Sequence, residues 1–194
     1  MAVPTPKRIT AEEYLEAERK APFKSEFWLG QVYAMAGGTE RHSLVCSNLS
    51  RFIQNRLEGR PCQVHGSDLK VGSAKKRGFA YPDLSVVCGQ PVFYDSTEDV
   101  LMNPTAVFEV LSDSTRAYDE LEKFEEYQRL PSLRHYVLID PRRTSVTHYK
   151  LTDSGEWLYL HYAAENHVLK LLDIDLPLTE IYHQVELDPE PDIE

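Results

Sequence analysis

The sequence predicts a single α/β (α+β) domain in which helices flank a central mixed β-sheet. Two near-continuous apolar runs, Phe79 to Cys88 and Ala106 to Leu111, are typical of strands that are buried on both faces. Segments with helical periodicity stand before and after these runs. A chain of 194 residues with 42% hydrophobic content is long enough to bury one substantial core.

The first predicted element is a short helix from Ala11 to about Arg19. A capping box predicts where this helix begins: the side chains of Thr10 and Glu13 each accept a hydrogen bond from the other residue's backbone N–H. The segment from Ser25 to Met35 then predicts two strands that turn near Leu29-Gly30.

A second helix is predicted after Gly37-Gly38, with Thr39 as its N-cap. Its apolar positions recur with the helical period, and Gly59-Arg60-Pro61 ends it. From Gln63 to Val71 the period changes to two, which indicates a strand with one polar edge.

The second half of the chain predicts one long helix and several strands. The helix runs from Thr115 to Leu130, with Ser114 or Thr115 as its cap, and Pro131 closes it. The predicted strands are a central one at His135 to Asp140, a hairpin formed by Ser145 to Leu151 and Trp157 to Tyr162, and a further strand at Val168 to Leu172.

Domain organisation and compartment follow from composition. Residues 1–186 are predicted to form one domain, and residues 187–194 an acidic, mobile tail. No apolar run approaches the roughly 20 residues of a membrane span, and the N-terminus lacks a secretory signal, so a cytoplasmic protein is predicted. Three cysteines without CxxC spacing favour small buried thiols over a disulfide framework, or over a zinc site that also uses His65.

The net charge of -10 opposes a nucleic-acid partner, because phosphate binding normally needs a positive surface. The acidic excess is partly local, however, in Asp119 to Glu126 and in Glu186 to Glu194. A bound divalent cation would also invert the field at a carboxylate site. The basic stretch from Lys70 to Arg77 is interpreted as a solvated hairpin turn.

Two carboxylates stand out because they lie in strongly apolar surroundings. Asp83 follows Tyr81-Pro82 at the mouth of a strand, and Glu109 lies inside the next apolar run. A buried carboxylate must be paired, metal-bound or protonated, because isolated burial of its charge is very costly. Carboxylates from neighbouring strands, completed by water and phosphate oxygens, suit Mg²⁺. A structural ion pair of Glu109 with Lys123 or Arg116 is the alternative.

Lys123 lies on the helix that follows the strand of Glu109. It shares a helical face with Asp119, four residues before it, and can reach the same site. There its ammonium could orient the attacking water or offset charge on a pentavalent phosphate. The alternative role is a surface ion pair with Asp119.

Four motifs follow one another in order along the chain. They are Tyr-Pro-Asp at residues 81–83, Phe-Glu-Val-Leu-Ser-Asp-Ser-Thr-Arg at 108–116, Tyr-Asp-Glu-Leu-Glu-Lys at 118–123, and Leu-Pro-Ser-Leu-Arg-His-Tyr-Val-Leu-Ile-Asp at 130–140. This ordered series resembles the Uma-type family of restriction-endonuclease-like proteins, a branch of the PD-(D/E)XK nuclease superfamily. The similarity extends from about Thr10 to about Leu172.

The resemblance implies a restriction-endonuclease-like fold and Mg²⁺- or Mn²⁺-dependent hydrolysis of DNA. It implies that Asp83, Glu109 and Glu26 hold the metal and that His42 lies by the cleft. In the superfamily the lysine stands two residues after the glutamate, where this chain has Leu111. Lys123 is therefore expected to fill that role.

Asp68 and Asp119 are weaker site candidates. Asp68 could face the cleft from the strand before Asp83, and Asp119 could orient Lys123.

A catalytically inactive, nuclease-like module that binds nucleic acid or dimerises remains the alternative function. A tight Lys123–Glu109 ion pair with no space for a metal would support it, whereas an accessible acidic cleft would oppose it. A homodimer is predicted from symmetry, because nucleases that cut both strands are often two-fold dimers.

Overall fold

The computed structural model describes residues 8–35, 37–113 and 116–189. Its strands are β1 Ser25–Trp28, β2 Gln31–Ala34, β3 Cys62–Gly66, β4 Lys70–Gly72, β5 Gly78–Ala80, β6 Leu84–Cys88, β7 Val100–Leu101, β8 Ala106–Val110, β9 His135–Asp140, β10 Ser145–Leu151, β11 Trp157–Tyr162, β12 Val168–Leu171 and β13 Ile174–Pro177. Its helices are α1 Ala11–Glu18, α2 Glu40–Leu57, α3 Phe124–Tyr127 and α4 Leu178–Ile181, and a π-helical segment, Tyr118–Lys123, leads directly into α3.

The larger sheet has six strands in the order β11-β10-β9-β8-β6-β3. The β8–β9 pair is parallel and the other pairs are antiparallel, so the sheet is mixed, as the sequence predicts. The two central strands, β8 and β9, are buried along their whole length. One face of this sheet packs against α2, α4 and the β12–β13 hairpin.

The smaller sheet has five strands in the order β2-β1-β5-β4-β7. On one side its Phe27 and Phe79 pack against Tyr14 and Leu15 of α1. On the other side Trp28 and its neighbours pack against the second face of the six-stranded sheet and against Tyr127 of α3. The space between the two sheets therefore holds the residues that face inward from β1 and β8.

The N-terminal helices begin where the sequence predicts. The Thr10 hydroxyl accepts the Glu13 N–H at 3.1 Å, and the Glu13 carboxylate accepts the Thr10 N–H at 2.8 Å, which completes the predicted capping box. Thr39 caps α2 by accepting the N–H of His42. The turn between β1 and β2 falls at Leu29 and Gly30, as predicted. Both residues have positive φ.

Two predicted strands are each divided in the structure. The run from Phe79 to Cys88 is two strands, β5 and β6, which belong to different sheets and are separated by Tyr81, Pro82 and Asp83. The predicted strand from Gln63 to Val71 is likewise divided between β3 and β4. Both errors have one cause: hydrophobic periodicity registers burial but does not show where the chain passes from one sheet to the other.

The predicted helix from Thr115 to Leu130 is shorter at its C-terminus and departs from α-helical geometry in its middle, at Tyr118–Lys123. Its predicted caps, Ser114 and Thr115, lie outside the described residues. A predicted single strand at Val168 to Leu172 proves to be the first half of the β12–β13 hairpin. The predicted basic turn lies between the antiparallel β4 and β5, with Lys75 and Lys76 exposed.

The prediction against a disulfide is wrong in the structure. Cys62 and Cys88 stand directly opposite each other on the antiparallel β3 and β6 and are joined by a disulfide. Cys46 carries a free thiol. The alternative that the sequence disfavours, a zinc site formed by the cysteines and His65, has no support in the strand register, because the pairing of β3 with β6 brings Ser85, not a cysteine, opposite His65.

The C-terminal segment as far as Pro189 runs along the body of the domain, where the Asp188 N–H donates to the Arg142 carbonyl at 2.7 Å. Residues 190–194 lie outside the described part of the chain, so the mobile tail stays a prediction. Among the described residues, no helix has both the length and the apolar character that crossing a bilayer requires.

A close approach between strands gives a test of this packing. A Cβ atom added at Gly78 on β5 would lie 2.2 Å from the ring of Trp28, which stands opposite on β1 and is fully buried. Gly78→Ala is expected to lower the free energy of unfolding by about 1 to 3 kcal/mol, because the ring has no space in which to move. Urea denaturation measures this loss.

Gly66→Ala is the matched control, since Gly66 is also a strand glycine but has nothing within 4 Å of its added Cβ. It should leave stability unchanged or raise it slightly. Equal stabilities for the two variants would contradict the packing of β1 on β5.

Candidate active site

Lys123 lies at the centre of a buried group of charged side chains. Its Nζ is 2.9 Å from Asp119 Oδ1, 3.1 Å from Glu109 Oε1 and 3.3 Å from Glu26 Oε1. All four residues are buried, and Lys123 is only 4% exposed. We call Lys123, Glu26, Glu109 and Asp119 the Lys123 cluster.

Local structure explains why these side chains meet. Side chains alternate along β8, so Glu109 points to the same side as Val107 and Leu111, toward the smaller sheet and α3. Glu26 of β1 reaches into the same space from the smaller sheet. Lys123 and Asp119 come from the π-helical segment, and π-helical turns are frequent at functional sites.

Burial and charge act against each other in the Lys123 cluster. Burial disfavours the charged form of Lys123, but the carboxylates of Glu109, Glu26 and Asp119 outweigh it and raise the pKa of the ammonium well above its usual value. Burial also raises the pKa of Glu109 strongly and that of Glu26 in the same direction, although Lys123 opposes both shifts. Lys123 therefore stays protonated. Any further positive charge nearby would stabilise the ionised form of the carboxylates.

Asp83 stands beside the Lys123 cluster at the start of β6. Leu84 of β6 pairs with Phe108 of the antiparallel β8. Asp83 and Glu109 are the next residues in this register, so they lie opposite each other. Its Oδ2 accepts the Val110 N–H at 2.7 Å. Two residues earlier, the Tyr81 N–H donates to Glu26 Oε1 at 3.0 Å. The Tyr-Pro-Asp segment thus contacts carboxylate or backbone groups of both sheets.

His42 approaches Asp83 from the other side, in the first turn of α2. Its Nε2 is 3.4 Å from Asp83 Oδ1, and its Nδ1 is 3.6 Å from the Sγ of Cys46, one helical turn further on. The hydrogen bond with Asp83 raises the pKa of His42 against the effect of burial. Gly38 lies against the ring, since an added Cβ would come 2.9 Å from Nδ1.

An open depression of about 430 Å³ adjoins His42. Charges of both signs line it, including Arg41, Arg142 and Asp113. We call it the His42 depression. A larger cavity of about 1130 Å³ beside Arg143 and His161 contains none of the predicted site residues.

The structure thus brings together most of the residues that the sequence singles out. Glu26, Glu109 and Lys123 are in direct contact, with Asp83 and His42 adjacent, although their chemical roles remain predictions. Asp119 contacts Lys123 as expected. Leu111, at the superfamily's usual lysine position, is buried in the apolar core.

Asp68 is the exception, and its assignment to the cleft is wrong. It lies in the turn after β3, its side chain is 96% exposed, and it pairs with Lys24. The strand that was predicted to carry it toward Asp83 ends at Gly66.

Two residues that contact the site were not identified as site residues from the sequence. The ring of Tyr118 lies 5.2 Å from Lys123 Nζ, so it adds a cation–π contact. Cys46 lies beside His42, and their spacing of four residues in a predicted helix was the signal that could have found the pair.

Comparison with known structures identifies the class of fold. A crystal structure of a "putative nuclease belonging to DUF820" from Anabaena variabilis superposes with a TM-score of 0.71. The superposition covers 90% of this chain and 97% of that chain, at 16% sequence identity. The fold is therefore nuclease-like.

Sequence comparison gives the family. The profile of the Uma2 family, described as "Putative restriction endonuclease", matches residues 11–179. The chain is 37% identical over 182 residues to the uncharacterized protein slr1290 of Synechocystis, covering 93% of this chain and 94% of the relative. A second Synechocystis protein, sll1609, is 35% identical over 166 residues, covering 86% and 94%. This chain belongs to the Uma2 family.

Proposed function

We propose that this protein is a Mg²⁺- or Mn²⁺-dependent endonuclease that hydrolyses phosphodiester bonds in DNA. One observation carries the proposal: Asp83 and Glu109, level with each other on neighbouring strands, lie beside a buried lysine that also contacts Glu26. Family membership supports the same class of activity.

The donor types and their charge suit a hard divalent cation, although the ligand atoms of Asp83, Glu109 and Glu26 do not all lie within 4.8 Å of one another, so a bound ion would have to draw them closer. Three carboxylates of the Lys123 cluster surround one ammonium, which leaves two formal negative charges before Asp83 is counted. Carboxylate oxygens are the ligands that Mg²⁺ prefers, and Mg²⁺ commonly uses only one or two of them together with water and phosphate oxygens. Asp83, Glu109 and Glu26 would hold the ion.

Each residue has a distinct task in this mechanism. A bound Mg²⁺ would supply positive charge for the phosphate and lower the pKa of a water molecule. Lys123 keeps its proton, because three carboxylates favour the ammonium, and so can donate hydrogen bonds to the attacking water or to a phosphate oxygen. Asp119 and Tyr118 hold the ammonium in place. His42 orients Asp83 through Oδ1, while the Val110 N–H fixes Oδ2.

Metal-dependent nicking of supercoiled plasmid DNA tests the proposal. Wild-type protein should nick in Mg²⁺ or Mn²⁺ and not in EDTA. Asp83→Asn and Glu109→Gln keep the shape of each side chain but remove its charge. Each should lower the rate about 100-fold or more, because metal-ion catalysis contributes several kcal/mol to the barrier.

Asp68→Asn is the matched control, since it makes the same chemical change at an exposed carboxylate outside the site. It should cut like wild type. Wild-type protein without divalent-dependent cleavage, or site variants as active as Asp68→Asn, would refute the proposal.

The contacts of Lys123 favour a second candidate, a nuclease-like module that binds DNA or another copy of itself without cutting. The ammonium is 3.1 Å from Glu109 and 3.3 Å from Glu26, so a structural ion pair could account for both buried acids. Calorimetry separates the two functions. Uptake of Mg²⁺ that is lost in Glu109→Gln supports the enzyme, whereas DNA binding without Mg²⁺ uptake or nicking supports the module.

The enzyme is further proposed to act as a homodimer, since nucleases that cut both strands of a duplex are often two-fold dimers. Light scattering with and without duplex DNA measures the oligomeric state. A monomer under both conditions would contradict it.

A further inference from the structure

Three side chains that bind transition metals converge next to the Lys123 cluster. His42 and Cys46 occupy one face of α2, and Asp83 meets them from the start of β6. One ligand atom from each lies within 4.8 Å of the other two, and within the described residues this is the group of three that does so. We call these residues the His42 triad.

Two distances within the His42 triad, which involve different nitrogens of the imidazole, are each of the size found between ligands of a tetrahedral zinc ion. Typical zinc bonds to sulfur, nitrogen and oxygen, taken at tetrahedral angles, put the ligand atoms roughly 3.3 to 3.6 Å apart. The observed Sγ–Nδ1 and Nε2–Oδ1 distances are 3.6 and 3.4 Å. The imidazole can bind a given ion through only one nitrogen, so binding requires a small turn of the ring or of one neighbour.

The donor types differ from those of the Lys123 cluster. A thiolate and an imidazole suit Zn²⁺ and related ions, whereas Mg²⁺ prefers oxygen ligands alone. Cys46 is available for this role, because the other two cysteines are joined to each other. With three protein ligands, the fourth position of a tetrahedral ion would stay open. His42 also lines the His42 depression, which gives an ion a route from solvent.

We propose that His42, Cys46 and Asp83 form a Zn²⁺ site, and that zinc bound there blocks the magnesium site by taking Asp83. The second half of this inference rests on the proposed nuclease function. The Val110 N–H already donates to Asp83 Oδ2 at 2.7 Å and His42 Nε2 lies 3.4 Å from Oδ1, so few lone pairs remain on this carboxylate and both cations would need it. Zinc and magnesium therefore compete for it.

Metal binding alone tests the site, without any activity assay. Wild-type protein should bind one Zn²⁺ in calorimetry. With Co²⁺ as the probe it should show thiolate-to-cobalt charge-transfer absorption in the near ultraviolet. Cys46→Ser should lose that absorption and at least about 100-fold in Zn²⁺ affinity, because a serine hydroxyl is a poor replacement for a thiolate. Asp83→Asn should also weaken binding.

The matched control is the double variant Cys62→Ser/Cys88→Ser, which removes the other two cysteine sulfurs and should keep both the affinity and the absorption. Zinc affinity in Cys46→Ser equal to that of wild type, or cobalt binding without the charge-transfer band, would overturn the site. Circular dichroism of each variant checks that it is folded, so that a lost site is not confused with a lost fold.

Inhibition is tested in the plasmid assay at fixed Mg²⁺. Added Zn²⁺ should inhibit wild-type nicking, and excess Mg²⁺ should relieve the inhibition. Cys46→Ser should nick at the wild-type rate and resist zinc. Equal inhibition of both proteins would overturn the competition. If the wild type does not nick at all, the proposed function fails while the binding experiment still decides whether the zinc site exists.

Discussion

Lys123→Met is expected to lower the free energy of unfolding by about 3 to 5 kcal/mol, since removing one partner of a buried ion pair leaves uncompensated charge in the interior. Methionine keeps most of the length and apolar stem of lysine, so the variant tests charge more than volume. Glu26, Glu109 and Asp119 would lose the ammonium that contacts all three. Guanidinium denaturation at neutral pH measures the loss.

The chain contains a matched control for this experiment. Lys20 pairs with Glu16 at 2.8 Å with the same four-residue spacing that joins Lys123 to Asp119. In the exposed pair, however, the two side chains are 72% and 76% exposed. Lys20→Met should therefore change stability by less than about 1 kcal/mol. Similar losses for the two variants would show that Lys123 does not neutralise a buried cluster.

Acid is expected to destabilise the protein through two buried histidines that face each other in the six-stranded sheet. His135 Nδ1 and His148 Nε2 are 2.9 Å apart, on the neighbouring strands β9 and β10. The Leu172 N–H donates to His135 Nε2, so the neutral ring must carry its proton on Nδ1 and donate it to His148. A second proton on His148 would sit on Nε2 and face the His135 Nδ1–H. A second proton on His135 would sit on Nε2 and face the Leu172 N–H. In either case two donors would oppose each other.

The direction of the pH effect follows from these contacts. Burial lowers the pKa of His135 to about 4 and that of His148 to about 3, with Lys150 contributing to both shifts. Unfolded histidine titrates near 6.5. Between these values the unfolded chain binds more protons than the folded one, so stability is complete above about pH 6.5 and falls as the pH drops toward 4. The loss from His135 alone is on the order of 3 kcal/mol.

Urea midpoints measured between pH 7.5 and pH 4.5 check this expectation. Carboxylates add their own slope at the acid end, so the informative quantity is the difference between wild type and His148→Phe. The variant should lose less stability on acidification, whereas the exposed His183→Phe should follow wild type. Identical pH slopes for all three proteins would contradict a neutral buried pair.

Local signals in the sequence predicted the first part of the fold well. The Thr10–Glu13 capping box and the Thr39 cap depend on contacts within one helical turn, so the sequence carries all the information they need. The course of the chain at Tyr81 was not predictable in this way. Whether a strand continues or passes to another sheet depends on partners far along the chain, and here β5 pairs with β1 whereas β6 pairs with β3 and β8.

The candidate site also contains some residues that local sequence reveals and others that only the pairing of distant strands reveals. Glu109 could be recognised because a charge within an apolar strand must be compensated, and Lys123 because the next helix packs back on that strand. Glu26 had no such signal, since only the pairing of β1 with β5 shows that it is buried beside Tyr81. Asp68 was wrongly assigned to the cleft because the sequence did not show that β3 ends before it. The Cys62–Cys88 pairing likewise depends on strand register, which spacing alone does not reveal.

The three-residue connection Tyr81-Pro82-Asp83 links the two sheets and also carries contacts of the site. Glu26 belongs to the smaller sheet, and Glu109 belongs to the larger one. A small sliding of one sheet over the other would change the separation of these carboxylates without altering any of them. Substitutions at Trp28, which packs between the sheets and is not one of the proposed cation ligands, should therefore change the affinity of the proposed site for its cation.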